Sequence, residues 1–108
     1  MVMGLTRLRD KLYVTYERSD TIVVYEAESP YTRLQDIPVN GLKQPRDIAA
    51  CVNSGSLYIA DTGADKDADT VWRIGVNQKS VEKFKNINCV QHLSVTLDGR
   101  LVVLCSCA

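Results

Sequence analysis

The chain has 108 residues, which is enough for one small domain. Its 13 Lys and Arg residues balance its 13 Asp and Glu residues, which excludes an overall field that would attract the chain to nucleic acid or to an anionic membrane. No apolar run approaches the roughly 20 residues that cross a bilayer, and Arg7, Arg9 and Asp10 interrupt the N-terminal segment before a signal-peptide core could form. The sequence therefore predicts no membrane association, with the cytoplasm as the default compartment.

Strand-like segments recur along the chain. In chain order, "KLYVTYERSDTIVVYE" and "SLYIADTGADKDADTVWRI" both align as strand, polar turn and strand. The apolar triplets at residues 12–14, 57–59 and 101–103 lie 45 and 44 residues apart, and each follows a shorter apolar segment, "GLTRL", "RDIAACV" or "QHLSVTL". The third segments, "TIVVYE" and "TVWRI", are rich in the β-branched and aromatic residues that favour packed strands. The repeat therefore predicts strands and not helices.

A fourth segment completes each of the first two units. "YTRLQDI" and "SVEKFKNI" alternate apolar with polar residues, as an outer strand with one wet face should. The turns "NSG" at residues 53–55 and Asp98-Gly99 suit hairpins between the first and second strands. Each unit is therefore predicted to be four short antiparallel strands.

Four strands in about 40–45 residues are what a β-propeller blade requires. The sequence thus predicts an all-β fold, a partial β-propeller with a first blade at about residues 4–38, a second at about 45–88 and half of a third at about 89–105. Two and a half blades leave apolar faces uncovered at both ends. We therefore expect either a fragment of a longer propeller or self-association through unpaired blade faces.

The second unit resembles a known repeat. "QPRDIAACVNSGSLYIADTG", followed by "TVWRI", is similar to the NHL repeat of six-bladed β-propellers, whereas the first unit has "TYERSD" where the Ala-Asp and Gly would be. The resemblance implies a non-catalytic binding scaffold for a protein partner, with RNA as the other partner class of the family, although related six-bladed propellers include hydrolases and lyases. It also implies a ligand face built from residues 17–20, 62–69, 38–44 and 85–90.

Five residues in or beside those loops are the candidate ligand-binding residues: Arg18, Lys43, Arg46, Asp61 and Asp65. Three are cations, which would suit RNA if basic and aromatic groups converged on one face. Two are acids in the same region, which weakens that argument. The sequence therefore favours a protein partner.

Asp61-Thr62-Gly63 has a second interpretation from another functional class. The same three letters form the catalytic loop of homodimeric retroviral-type aspartic proteases, in which two carboxylates, one from each protomer, share a proton. The alternative is structural: Asp61 accepts backbone N–H bonds where the second strand ends, and Gly63 supplies a conformation open to positive φ. The protease hypothesis leaves the repeat unexplained, so we expect the chain not to be an enzyme.

The inserted "ADKDAD" begins like a calcium loop at Asp65, but Thr70 stands where that loop needs Gly and Val76 where it needs a bidentate Glu. The sequence thus predicts no metal site and no cofactor. His92, the only histidine, is expected to be a strand-edge residue without a catalytic partner. Trp72, the only tryptophan, is expected to be buried between blades.

Overall fold

The computed structural model describes residues 1–63, 69–77, 80–87 and 90–105, and within these residues the regular elements are all β-strands. The first four-stranded sheet has the order β1 (Val2–Leu8), β2 (Lys11–Tyr16), β3 (Thr21–Glu26), β4 (Ile37–Pro38). The second has the order β5 (Pro45–Cys51), β6 (Ser56–Asp61), β7 (Asp69–Gly75), β8 (Ser80–Ile87). A third, two-stranded sheet pairs β9 (Val90–Val95) with β10 (Leu101–Cys105).

All of these strand pairs are antiparallel, so the predicted all-β fold with four-stranded antiparallel sheets is confirmed. The inner strands are neighbours across the sheets, because β1 lies against β5 and β5 lies against β9. In the described part of the chain, no helix is long and apolar enough to span a membrane.

The fourth strand of the first sheet is much shorter than its sequence predicts. Of "YTRLQDI" only Ile37 enters β4, and one isolated bridge joins Arg33 to Tyr25. The pairing is interrupted within the segment: Arg33 lies opposite Tyr25 and Ile37 lies opposite Ile22, so the register shifts by one residue between these two contacts. The prediction of a full outer strand here was wrong, whereas "SVEKFKNI" forms β8 over its whole length.

Two apolar layers hold the three sheets together. The layer between the first and second sheets is centred on Ile22, Leu57, Ile59, Trp72 and Ile74, all buried. The layer between the second and third sheets contains Ala49, Tyr58, Ala60, Val71, Val90 and Leu93. Strand β6 is buried along its entire length because both of its faces meet a neighbouring sheet. The predicted burial of Trp72 is confirmed, since only 5% of the residue is exposed.

The outward faces of the first and third sheets present apolar side chains. Leu5 on β1 is exposed, and so are Val102 and Leu104 on β10. Side chains alternate along a strand. Leu5 therefore points away from the Gly4 side of β1, which meets Ile48 of the second sheet, and Val102 and Leu104 point away from Val103, which packs against the layer between the second and third sheets. Self-association through these faces stays a prediction.

Candidate functional site

Asp61 ends β6 and is fully buried, with 0% of the residue exposed. Its Oδ1 accepts the backbone N–H of Gln44 at 2.9 Å and of Gly63 at 3.0 Å. Its Oδ2 accepts the backbone N–H of Lys43 at 3.0 Å and the indole Nε1–H of Trp72 at 3.0 Å. We refer to Asp61 with these four donors as the Asp61 clamp.

The clamp fastens the connection between the first two sheets to the end of β6. Residues 39–44 form this connection, and its side chains Val39 and Leu42 are buried in the first apolar layer. A backbone bond from the Thr62 N–H to the Gln44 carbonyl, 3.1 Å, runs beside the clamp. Hydrogen bonds to a charged acceptor are about twice as strong as neutral ones, so a buried carboxylate with four donors is a strong anchor for this loop.

Gly63 is required for a different reason from the one that the sequence suggests. Among the described residues, the glycines with positive φ are Gly41, Gly55 and Gly99, so the prediction of a positive φ at Gly63 was wrong. A Cβ at Gly63 would instead lie 3.0 Å from the Lys43 Cβ and 3.1 Å from the Gln44 Cβ. Gly63 therefore permits the close approach that brings its own N–H and that of Gln44 to one carboxylate oxygen.

We expect Gly63→Ala to lower the free energy of unfolding by about 1–3 kcal/mol, the usual result of forcing a methyl group into a packed site. The added methyl must push the 39–44 connection away from Asp61, which lengthens two bonds of the clamp. Urea unfolding followed by circular dichroism measures the change. Glu17→Ala, at an exposed turn position of the same end, is the control and should change stability by less than about 0.5 kcal/mol; equal stability of the two variants would contradict the packing argument.

This geometry does not favour the protease hypothesis. A catalytic aspartate must be open to the second aspartate and to a peptide. Asp61 has no exposed surface and already accepts four N–H groups. The structural alternative therefore accounts for the Asp-Thr-Gly letters, with donors from a distant loop added to the local turn.

Three of the other predicted site residues, Arg18, Lys43 and Arg46, lie at the same end of the sheets as the clamp. Arg18 lies in the β2–β3 turn with φ 56°, and its side chain is exposed. Lys43 has a fixed backbone within the clamp and an exposed side chain, and Arg46 on β5 is also exposed. The structure thus joins Lys43 to Asp61 directly, whereas Arg46 turns toward the third sheet. Asp65 and the "ADKDAD" segment around it lie outside the described residues.

Three contacts that the sequence did not predict connect the second sheet to the third. Asp47 on β5 accepts the backbone N–H of Leu93 at 2.8 Å, and Asp69 on β7 accepts that of Val90 at 2.7 Å. His92, expected to be a strand-edge residue, places its Nδ1 2.7 Å from the same Asp47 oxygen, Oδ2. Within the described part of the chain, no three His, Cys, Asp or Glu side chains are grouped to hold a metal ion.

The repeat interval of 45 residues could have predicted which residues make these contacts. Asp47 and His92 are 45 residues apart, and so are Arg46 and Gln91, whose side chains are bonded at 2.7 Å. Residues one repeat apart occupy equivalent positions in adjacent sheets, so complementary side chains at that interval are candidates for direct contact.

Comparison with known proteins supports the fold. No protein-family model and no curated protein sequence matches the chain. Among solved structures, the chain is similar to hydrazine synthase of Kuenenia stuttgartiensis, with a TM-score of 0.73 and 17% identity over 97% of this chain and 29% of that one. It is also similar to the β-propeller domain of the Trilobed protease from Pyrococcus furiosus, with a TM-score of 0.64 and 14% identity over 96% of this chain and 34% of that one. The chain therefore has the fold of a partial β-propeller whose blades are the sheets described above, and it spans about a third of the length of these structures.

Proposed function

We propose that the chain is a non-catalytic binding scaffold of the NHL-like propeller type, which holds a partner protein on its loop face. The loop face is the end of the blades that carries the β2–β3 turn (residues 17–20), the 39–44 connection, the start of β5 and the start of β9. The observation that carries this proposal is the Asp61 clamp, because it holds the backbone of an exposed loop in one position from a buried carboxylate. A binding surface on a fixed backbone loses less entropy when the partner binds.

The charges of the loop face support a protein partner. In the described part of the chain, Arg18, Lys43 and Arg46 form no ion pair with the chain's own acids, although each is exposed. Exposed cations without an internal partner are available to carboxylates of another protein, where they guide encounter and fix orientation. Asp65 is assigned to this proposed face by its place in the sequence. Asp61 is buried beneath the face and holds the backbone of the 39–44 connection through the clamp.

RNA would need a larger concentration of positive charge. Its binding releases counterions from several consecutive phosphates, each neutralised by a Lys or Arg side chain. The chain has no excess of cations, with 13 basic and 13 acidic residues. Since propellers serve enzymes as well as scaffolds, the non-catalytic assignment depends on the burial of Asp61 and not on the fold.

Position-specific photocrosslinking tests the proposal. A photoreactive amino acid replaces Arg18 on the loop face or, as the matched control, Val52 in the β5–β6 turn at the opposite end of the second blade, where it is also exposed. In an extract of the source cells, we expect discrete protein adducts from position 18, their loss when Lys43→Glu is added, and none from position 52.

Two results would contradict this assignment. Adducts of equal yield from both positions would show that the loop face binds partner proteins no better than the opposite end of the blades does. Adducts from position 18 that ribonuclease removes would show that RNA, and not protein, occupies this face.

A further inference from the structure

The inner strand of each blade carries the same irregularity. Along each ladder the register skips one inner-strand residue near the loop face, so that this residue has no cross-strand partner. The skipped residues are Met3 between the pairs Val2–Tyr16 and Gly4–Thr15, Arg46 between Pro45–Asp61 and Asp47–Ala60, and Gln91 between Val90–Cys105 and His92–Leu104. We call Met3, Arg46 and Gln91 the bulge row. A β-bulge re-aims the side chain of its extra residue, and bulges are enriched beside functional sites.

Two members of the bulge row, Arg46 and Gln91, are bonded to each other. The Nη2 of Arg46 donates to the Oε1 of Gln91 at 2.7 Å, and both side chains are exposed. The contact joins the second and third blades at the loop face. A guanidinium has five N–H donors in one plane, so a single bond to Gln91 orients that plane and leaves the other donors for a ligand.

The residues after Arg46 and Gln91, Asp47 on β5 and His92 on β9, add an oriented imidazole. Asp47 exposes only 18% of its side chain, and its Oδ2 accepts both the Leu93 N–H and the Nδ1–H of His92. The imidazole tautomer that carries its hydrogen on Nδ1 presents Nε2 as an acceptor. The His92 side chain is 62% exposed, so this acceptor is open to a ligand.

We propose that Arg46, Gln91 and His92 form a carboxylate-binding site between the second and third blades, which takes an Asp or Glu side chain of the partner protein. This inference rests on the proposed function and names the chemistry of the partner. The guanidinium of Arg46 binds the carboxylate in the two-bond geometry that arginine favours. The Nε2 of His92 accepts a backbone N–H of the same acidic segment.

A single carboxylate fits this site better than a chain of phosphates. The site has one permanent cation, and two acids, Asp47 and Asp69, lie within the same junction because they hold the start of β9. Successive phosphates would meet these carboxylates without further cations to compensate. One carboxylate is neutralised by the one guanidinium, which makes an acidic peptide the favoured ligand.

Fluorescence anisotropy on the whole 108-residue chain tests the site with three labelled probes. They are an octapeptide made of Gly and Glu, the same octapeptide with Gln in place of every Glu, and an eight-nucleotide single-stranded RNA. We expect the Glu peptide to bind at least about tenfold more tightly than the Gln peptide. Arg46→Gln should weaken binding of the Glu peptide by about tenfold, and Arg46→Lys by a smaller factor, because an ammonium lacks the planar fork. Gln91→Ala should weaken it by roughly threefold, since the guanidinium loses its orienting partner.

Arg100→Gln is the matched control, because it removes the same charge from an exposed side chain that pairs with Asp98 in the β9–β10 turn at the opposite end. Its affinity for the Glu peptide should equal that of the wild type. Equal weakening by Arg46→Gln and Arg100→Gln would overturn the site in favour of general charge attraction. If RNA bound more tightly than the Glu peptide and Arg46→Gln abolished that binding, the ligand of the site would be a phosphate and not a carboxylate.

The absence of any binding of the Glu peptide up to about 1 mM, the weak end of measurable affinity, would also overturn this inference. It would leave the proposed function intact if position 18 still forms protein adducts that position 52 does not. The loss of those adducts would overturn the proposed function itself.

Discussion

Asp61→Asn is expected to lower the free energy of unfolding by about 3 kcal/mol or more. The asparagine amide keeps one oxygen acceptor and replaces the other with an NH₂ donor. Two of the four N–H groups of the clamp would then face a donor in place of an acceptor, around a side chain that has no exposed surface. Each charge-assisted bond contributes about 1.5–3 kcal/mol, and a buried donor without an acceptor adds its own cost. Such a change is a large fraction of the roughly 5–15 kcal/mol that stabilises a typical domain.

Asp10→Asn is the control for this prediction. Asp10 is an exposed carboxylate that pairs with Lys11 at 3.5 Å, so its replacement should change stability by less than about 0.5 kcal/mol. Urea unfolding of the two variants gives the comparison. If both variants were as stable as the wild type, the clamp would not be structural, and loss of peptide cleavage in Asp61→Asn would then favour the protease.

Trp72→Ala is expected to cost about 3–5 kcal/mol, the usual range for removing a large aromatic side chain from a core. The indole is almost fully buried between the first and second blades. Its Cη2 lies 3.1 Å from where a Cβ of Gly41 would stand, so the ring fits closely under the 39–44 connection. The substitution therefore opens a cavity and also removes one donor of the clamp.

Trp72→Phe separates these two effects. Phenylalanine keeps much of the apolar surface and lacks the Nε1–H, so we expect a loss of roughly 1–2 kcal/mol. In a double-mutant cycle with Asp61→Asn, the coupling energy should reach about 0.5 kcal/mol or more, because the two side chains are bonded at 3.0 Å. Additive effects would show that the indole stabilises the protein through packing alone.

Much of the fold was predictable because equivalent positions of a sequence repeat occupy equivalent positions in the tertiary structure. The interval of 45 residues placed the strong apolar strands, which became β2, β6 and β10. The hairpin glycines, Gly55 with φ 65° and Gly99 with φ 87°, follow from turn chemistry that is local in sequence. The interrupted outer strand of the first blade was not predictable from alternation, because it results from a register shift against β3 between Arg33 and Ile37.

The candidate site was less predictable, since its contacts join distant parts of the chain. The donors from Lys43 and Gln44 are 18 and 17 residues before Asp61. They are backbone N–H groups, so the residue types at these positions do not indicate the contacts. A motif search can therefore find the carboxylate but not its partners. The extra residue of each bulge is likewise a matter of ladder register, which is set when the sheets pack.

Amide hydrogen exchange at the clamp shows whether Asp61 fixes the 39–44 connection. If Asp61 is a buried anchor, the amides of Lys43, Gln44 and Gly63 should exchange slowly in the wild-type chain, although they lie in loops. In Asp61→Asn they should exchange much faster, whereas the amide of Gly99, bonded to the Thr96 carbonyl at 3.0 Å, should keep its wild-type rate. Fast exchange of the three clamp amides in the wild type, or rates unchanged by the substitution, would contradict the account.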